Sequence, residues 1–274
     1  MAPMRAPYWG PPIAVLPLLA REEQALVDVL TGLDAEQWAA PTACRDWTVH
    51  DLAAHILGVK LGRLSRDRDG YRALEPRDSP EAWVTACRRL SPEVLFALIV
   101  DSTAQIADHW GRLDLDEPGE SLSWAGPEPA PRWLDAAAEY SAFWTHQQQI
   151  REAAGVPLLD APEFRGPVVD TFLRALPFAL RDVEARTGRQ VAYTVTGASG
   201  GRWTARREAD GWTLDRAAPT SRSPLASVTT DADTFWRLST GMLRPADAEV
   251  TAKGDENVCA AMLGLRFPEV GSRP

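Results

Sequence analysis

Cysteine, histidine and long apolar runs are all scarce in this chain, and each scarcity removes a class of protein. The three cysteines, Cys44, Cys87 and Cys259, are far apart in 274 residues. Odd in number and without CxxC spacing, they form neither a disulfide framework nor a cysteine metal site. A reducing cytoplasm is therefore expected. No apolar run of about 18 residues occurs, so no membrane-spanning helix is expected. Positive charge is also in deficit, with 29 Lys and Arg against 38 Asp and Glu and a net charge of -9. Such a chain repels phosphate backbones and anionic membrane faces, so neither nucleic acid nor membrane is an expected partner. A P-loop and a GxSxG nucleophile elbow are missing too.

What is present reads as an α+β protein of two domains. Hydrophobic residues make up 45% and charged residues 24%, an ordinary globular balance. Residues 1–12, MAPMRAPYWGPP, lack the apolar core of a signal peptide and read as a flexible arm. Residues 13–155 carry apolar positions at helical spacing and predict a four-helix bundle. Thr48 with Asp51 three residues on marks a sharp helix start, and Ser79-Pro80 and Ser91-Pro92 mark two more. The Asp67–Ser79 stretch reads as a loop. Residues 156–167, with Pro157, Pro162 and Pro167, read as the linker. Residues 168–274 open with a helix to about Thr187. Alternating strands with glycine turns follow, hence a small antiparallel-sheet α+β domain.

Chemistry has few places to sit, because there are four histidines: His50, His55, His109 and His146. His55 lies among apolar residues of the second helix, and His50 is rotated about 140° away from it. Asp51, one turn before His55, is positioned either to cap the helix or to orient the imidazole. His146 lies in FWTHQQQIREAAG, with Ala142 one turn before it and Gln149 three residues after. Gln147 and Gln148 read as a solvated face. His109 reads as a cation at a helix C-terminus. Two internal histidines on different helices can converge on a metal, but paired metal-ligand spacing is missing.

PTACRDWTVHDLAAHILG, followed some ninety residues later by FWTHQQQIREAAG, resembles the mycothiol-dependent maleylpyruvate isomerase family. The tail TTDADTFWRLSTGMLRPADAEVTAKGDENVCAAMLGL is similar to that family's C-terminal domain, which resembles sterol carrier proteins. The resemblance implies a DinB-like four-helix bundle and a divalent metal, usually zinc. A histidine on the second helix and a Glu-x-x-x-His pair on the fourth hold that metal. His55 and His146 match the two histidines; Ala142 stands where the glutamate is expected, and Gln149 where the family often has Asp. Glu139, two turns before His146, is too far along the helix to take over. Zinc sites of the catalytic type take three protein donors, so a weakened or vacant site is expected.

The resemblance further implies mycothiol as thiol cosubstrate, activated for addition to a small electrophile. Arg237 and Arg244 are candidate anion contacts in the C-terminal domain. Three functions stay open on these residues. One is a mycothiol-dependent isomerase or S-transferase. Another is a non-catalytic small-molecule-binding or regulatory protein with a vacant metal site. The third is an enzyme that has reused the pocket without metal.

Overall fold

The computed structural model describes residues 8–44, 46–71, 80–126, 129–215 and 224–267. The chain divides into two compact units. One comprises Val15–Asp114 and Glu139–Asp160; the other comprises the N-terminal residues to Ala14, Leu115–Ala138 and the chain from Ala161. This division cuts across the one drawn from the proline-rich segment, because the chain leaves the helical unit after Asp114 and returns at Glu139.

The helical unit contains α1 (Leu16–Gly32), α2 (Ala35–Ala39), α3 (Val49–Arg63), α4 (Pro80–Cys87), α5 (Pro92–Gly111) and most of α6 (Arg132–Ala154). The start of α3 follows from its sequence. The Thr48 side chain accepts from the Asp51 N–H, and the Asp51 carboxylate accepts from the Thr48 N–H. Such a cap stabilises a helix by about 1 kcal/mol. Val49, Leu52, Ala53, Ile56 and Leu57 then disappear into a core shared with Leu26, Leu95, Ile99, Phe143 and Ile150. Gly58 allows the close approach of α4: a Cβ there would lie 2.6 Å from Trp83 Cγ. Past Arg63 the helix widens into a π-helical turn, Leu64–Arg68. Ser91 caps α5, with Pro92 in its first turn, where a missing N–H costs nothing. The Ser79 start and residues 72–79 of the expected loop lie outside the described residues.

The other unit contains α7 (Pro162–Leu173), α8 (Leu176–Ala179), β1 (Gln190–Thr196), β2 (Gly201–Glu208), β3 (Gly211–Asp215), β4 (Ala226–Asp231), α9 (Ala232–Ser239), β5 (Thr251–Gly254) and α10 (Glu256–Leu263). The sheet order is β3-β2-β1-β4-β5. All neighbours are antiparallel except β1 and β4, which run parallel. The glycine-rich TGASGG is the turn between β1 and β2, and Asp231 caps α9 as its sequence predicts. Tyr193, Phe235, Phe172, Phe267 and Trp124 form an aromatic core.

Three expectations are corrected here. The segment 156–167, expected as the linker, is helical in its second half, because α7 begins at Pro162 and carries Pro167 inside it. The helix that follows stops at Leu173 rather than near Thr187. Residues 8–11 of the arm are also fixed. Leu214 N–H donates to Tyr8 O, and Trp9 Nε1 donates to Ala125 O at 2.7 Å. The fully buried Arg174 guanidinium bonds the carbonyls of Trp9 and Pro11 and the Asp170 carboxylate. Residues 1–7 lie outside the described set. No described helix is long and apolar enough to cross a membrane.

Candidate functional site

α3 and α6 bring His55 and His146 together inside the helical unit. Their ring centroids are 4.9 Å apart and nearly perpendicular, at 85°. His55 is 9% exposed and His146 3%. Burial drives both imidazoles toward the neutral form, His55 down to about 3 with help from His146, and His146 down to about 4. Each ring therefore keeps a lone pair at neutral pH.

The loop before α3 forms one wall. Thr42 N–H bonds Trp47 O, Trp47 N–H bonds Cys44 O, and Pro41 bridges to Thr48. Asp46 takes φ +64°, the single positive value at a non-glycine among the described residues. This tight loop lays the Trp47 ring against His55, with centroids 5.1 Å apart. It also sets the Cys44 thiol 3.4 Å from Gln149 Oε1, which lies 2.9 Å from His146 Nδ1. Burial pushes the Cys44 thiol up to about 11, so it stays protonated. Among the described residues His55 has ring contacts with Trp47 and His146 and no hydrogen bond. Its ring nitrogens are not among the side-chain atoms sealed from solvent without a partner, so this largely buried imidazole offers nitrogens that a ligand or water can reach.

Asp51 does not orient His55. Its carboxylate is used by the Thr48 N–H and by Arg88, whose Nε and Nη2 reach it at 2.8 and 3.0 Å. Helix spacing put Asp51 on the correct face, but capping and the arginine fork consume it. His50 faces elsewhere, with Nε2 3.1 Å from Leu90 O. His109 lies in the last turn of α5 as expected, but it is buried. Arg237 pairs with Asp233 and stacks on Trp236, while Arg244 pairs with Asp247. Both belong to the other compact unit.

Gln147 and Gln148 are not a solvated face. Both are fully buried. Gln148 accepts from Leu159 N–H and donates to Leu159 O, pinning the chain after α6. Gln147 donates to the Glu22 backbone and side chain and accepts from Arg151. A second polar cluster was missed by sequence reasoning. Lys60 is buried against Glu23 and Thr103, and Arg63 against Glu139, whose other oxygen accepts from Trp110 Nε1 at 2.7 Å. Burial, and next the Glu23 carboxylate, hold the Glu22 carboxyl well above the usual carboxylate range. The available signal was Lys60 and Arg63 standing three apart in the otherwise apolar second half of α3.

Residues 19–151 match the model of the mycothiol maleylpyruvate isomerase N-terminal domain. This match covers just under half of the chain, whose helical part is thus similar to that family's N-terminal domain. The match spans His55, Ala142, His146 and Gln149. Two uncharacterized proteins of Mycobacterium tuberculosis, Rv0738 and MT0763, are each 27% identical over 157 residues, covering 55% of this chain and 83% of theirs. The fold is also that of a crystal structure of the mycothiol-dependent maleylpyruvate isomerase. That match has a TM-score of 0.52 and 16% identity, and covers 90% of this chain and 95% of that one. A histidine-to-alanine mutant of that enzyme matches with the same TM-score and coverage at 14% identity.

The donor set does not fit a tightly held zinc. His55 and His146 offer two neutral nitrogens, and Ala142 offers a methyl one turn before His146. Glu139 is engaged by Arg63 and Trp110. Among the described residues no three His, Cys, Asp or Glu side chains are grouped to hold a metal ion, whereas a catalytic zinc takes three protein donors.

Proposed function

We propose that this protein is a mycothiol-dependent isomerase or S-transferase for a small electrophile, with a metal site weakened by Ala142. The observation that carries the reading is the facing pair His55 and His146, with the His55 ring lacking a hydrogen bond among the described residues, inside a region similar to this family's N-terminal domain. Neutral imidazoles accept a hydrogen bond from a thiol S–H and fix where its sulfur lies. The Trp47 ring shields that point from water. Isomerisation then balances without a redox change. As the S–H proton passes to an imidazole nitrogen, the sulfur forms a bond to one alkene carbon, and the π pair moves onto the neighbouring conjugated carbon. The single bond rotates, the carbanion pair re-forms the double bond as the carbon–sulfur pair leaves on sulfur, and the sulfur takes its proton back from the imidazolium, releasing the trans alkene and the thiol. In transfer the carbon–sulfur bond persists and the carbon that received the π pair takes the proton from the imidazolium.

A second reading, a non-catalytic small-molecule binder on the same scaffold, is favoured by Ala142 and by the engagement of Glu139. One set of assays separates them. Purified protein is tested for turnover of a cis-unsaturated keto acid with mycothiol, alongside His55→Ala, His146→Ala and Ala142→Glu. The enzyme reading expects thiol-dependent turnover that falls by about 100-fold or more in either histidine variant. Ala142→Glu restores a carboxylate beside His146 and raises zinc affinity. Thiol or substrate binding without turnover, in the wild type and in Ala142→Glu, establishes the binder instead.

A further inference from the structure

Cys44 and Gln149 have no role in the reading above, yet both belong to one short chain of contacts that ends on the His146 ring. The Cys44 thiol approaches Gln149 Oε1 at 3.4 Å, and the same oxygen lies 2.9 Å from His146 Nδ1. Cys44 and Gln149 are 8% and 1% exposed, so bulk water does not compete strongly for these atoms. A protonated thiol is a donor, and an amide oxygen only accepts. With its oxygen turned to the thiol, the Gln149 amide can meet Nδ1 only if that nitrogen carries a hydrogen. The ring's other nitrogen, Nε2, is then the acceptor. No described side chain hydrogen-bonds Nε2, and the ring faces His55.

We propose that Cys44 is a positioning residue: through Gln149 it holds His146 in the Nδ1–H tautomer and keeps Nε2 open as an acceptor for a ligand that donates a hydrogen, such as a thiol or hydroxyl. The loop that carries Cys44 is built for such a task. Asp46 turns through positive φ, and Thr42 clamps both Cys44 and Trp47, its hydroxyl accepting from Cys44 N–H at 3.2 Å and donating to Trp47 O at 2.9 Å. Strained turns of this kind persist where the surroundings over-determine them. The second nitrogen of a site histidine is commonly set by an outer partner in this way. Here the partner is a neutral amide. It fixes the ring without adding the negative charge that a carboxylate would bring, so it favours a neutral ligand over a cation.

The inference deepens the proposed function and rests on it for what binds, while its test reads the ring itself. Nitrogen-15 NMR of histidine-labelled full-length protein at neutral pH distinguishes a protonated ring nitrogen from a bare one. The expected wild-type pattern for His146, assigned through its loss in His146→Ala, is a protonated Nδ1 and a bare Nε2. Cys44→Ala converts this to a mixture of both tautomers, and Cys44→Ser, which restores an O–H donor, recovers the single tautomer. Circular dichroism confirms that each variant is folded. A wild-type His146 bearing its hydrogen on Nε2, or a pattern unmoved in Cys44→Ala, overturns the inference. The expected pattern in a protein with no thiol-dependent turnover upholds the relay and counts against the enzyme reading alone.

Discussion

Two polar clusters lie along the same pair of helices and have opposite characters. On α3, His55 and Arg63 are eight residues apart, roughly 12 Å along the axis. On α6, His146 and Glu139 are seven apart in the opposite sense, so imidazole meets imidazole at one level and guanidinium meets carboxylate at the other. The Arg63 level is charged and closed: Glu139 binds Arg63 and Trp110, Asp67 takes another Arg63 nitrogen, and Arg63 stacks on Trp110. The His55 level is neutral and incomplete. Burial alone does not mark a site, since both levels are buried. What separates them is whether the protein supplies the partners.

The largest expected effect tests the closed level. Glu139→Ala leaves the Arg63 guanidinium buried without its main carboxylate and strips Trp110 Nε1 of its acceptor. Breaking a buried pair from one side costs about 3–5 kcal/mol. Urea unfolding is expected to show a loss of that order, and the double variant Glu139→Leu/Arg63→Met recovers most of it. A loss under about 1 kcal/mol in Glu139→Ala would remove the distinction between the two levels.

An intermediate effect comes from pH. An unfolded imidazole takes up its proton near 6.5, whereas burial holds His55 to about 3 and His146 to about 4. The unfolded chain therefore binds more protons than the folded one throughout that window. The stability these two groups contribute is complete above 6.5 and is lost progressively as pH falls toward 4. Each group contributes up to about 1.4 kcal/mol per pH unit within the window. Denaturation midpoints at pH 7 and 5.5, compared between wild type and His55→Leu/His146→Leu, should show a shallower acid decline in the double variant. Equal declines would mean that these imidazoles are not held neutral.

Much of this contrast was legible beforehand, and unevenly. The convergence of His55 and His146 could be read from helical period and resemblance. Thr48 and Asp231 announced their helices because capping is a local matter of a few atoms. What could not be read is who bonds whom. Asp51 lies one turn from His55, but Arg88, 37 residues away, claims it. Gln147 and Gln148 look like a polar surface until Glu22 and Leu159 close over them. Lys60 and Glu23 pair across 37 residues. Pro162 reads as a break because a proline that opens a helix and one that ends it look alike without the residues packed around them. Periodicity assigns a face, whereas the partner on that face is a long-range fact.

The smallest expected effect is the sharpest test of the open level. His55→Leu removes a buried imidazole that bonds no described residue and substitutes an apolar side chain against Trp47. Where a buried group is unsatisfied, removing it costs little, in contrast to removing one half of a bonded pair. The unfolding free energy is therefore expected to change by less than about 1 kcal/mol in either direction, while thiol-dependent turnover disappears. A fall of about 3 kcal/mol would show that His55 is held as Arg63 is, by bonds the fold depends on. The same substitution thus sets the two levels of α3 against each other on one scale, and the open level keeps its meaning only if its histidine is dispensable to folding.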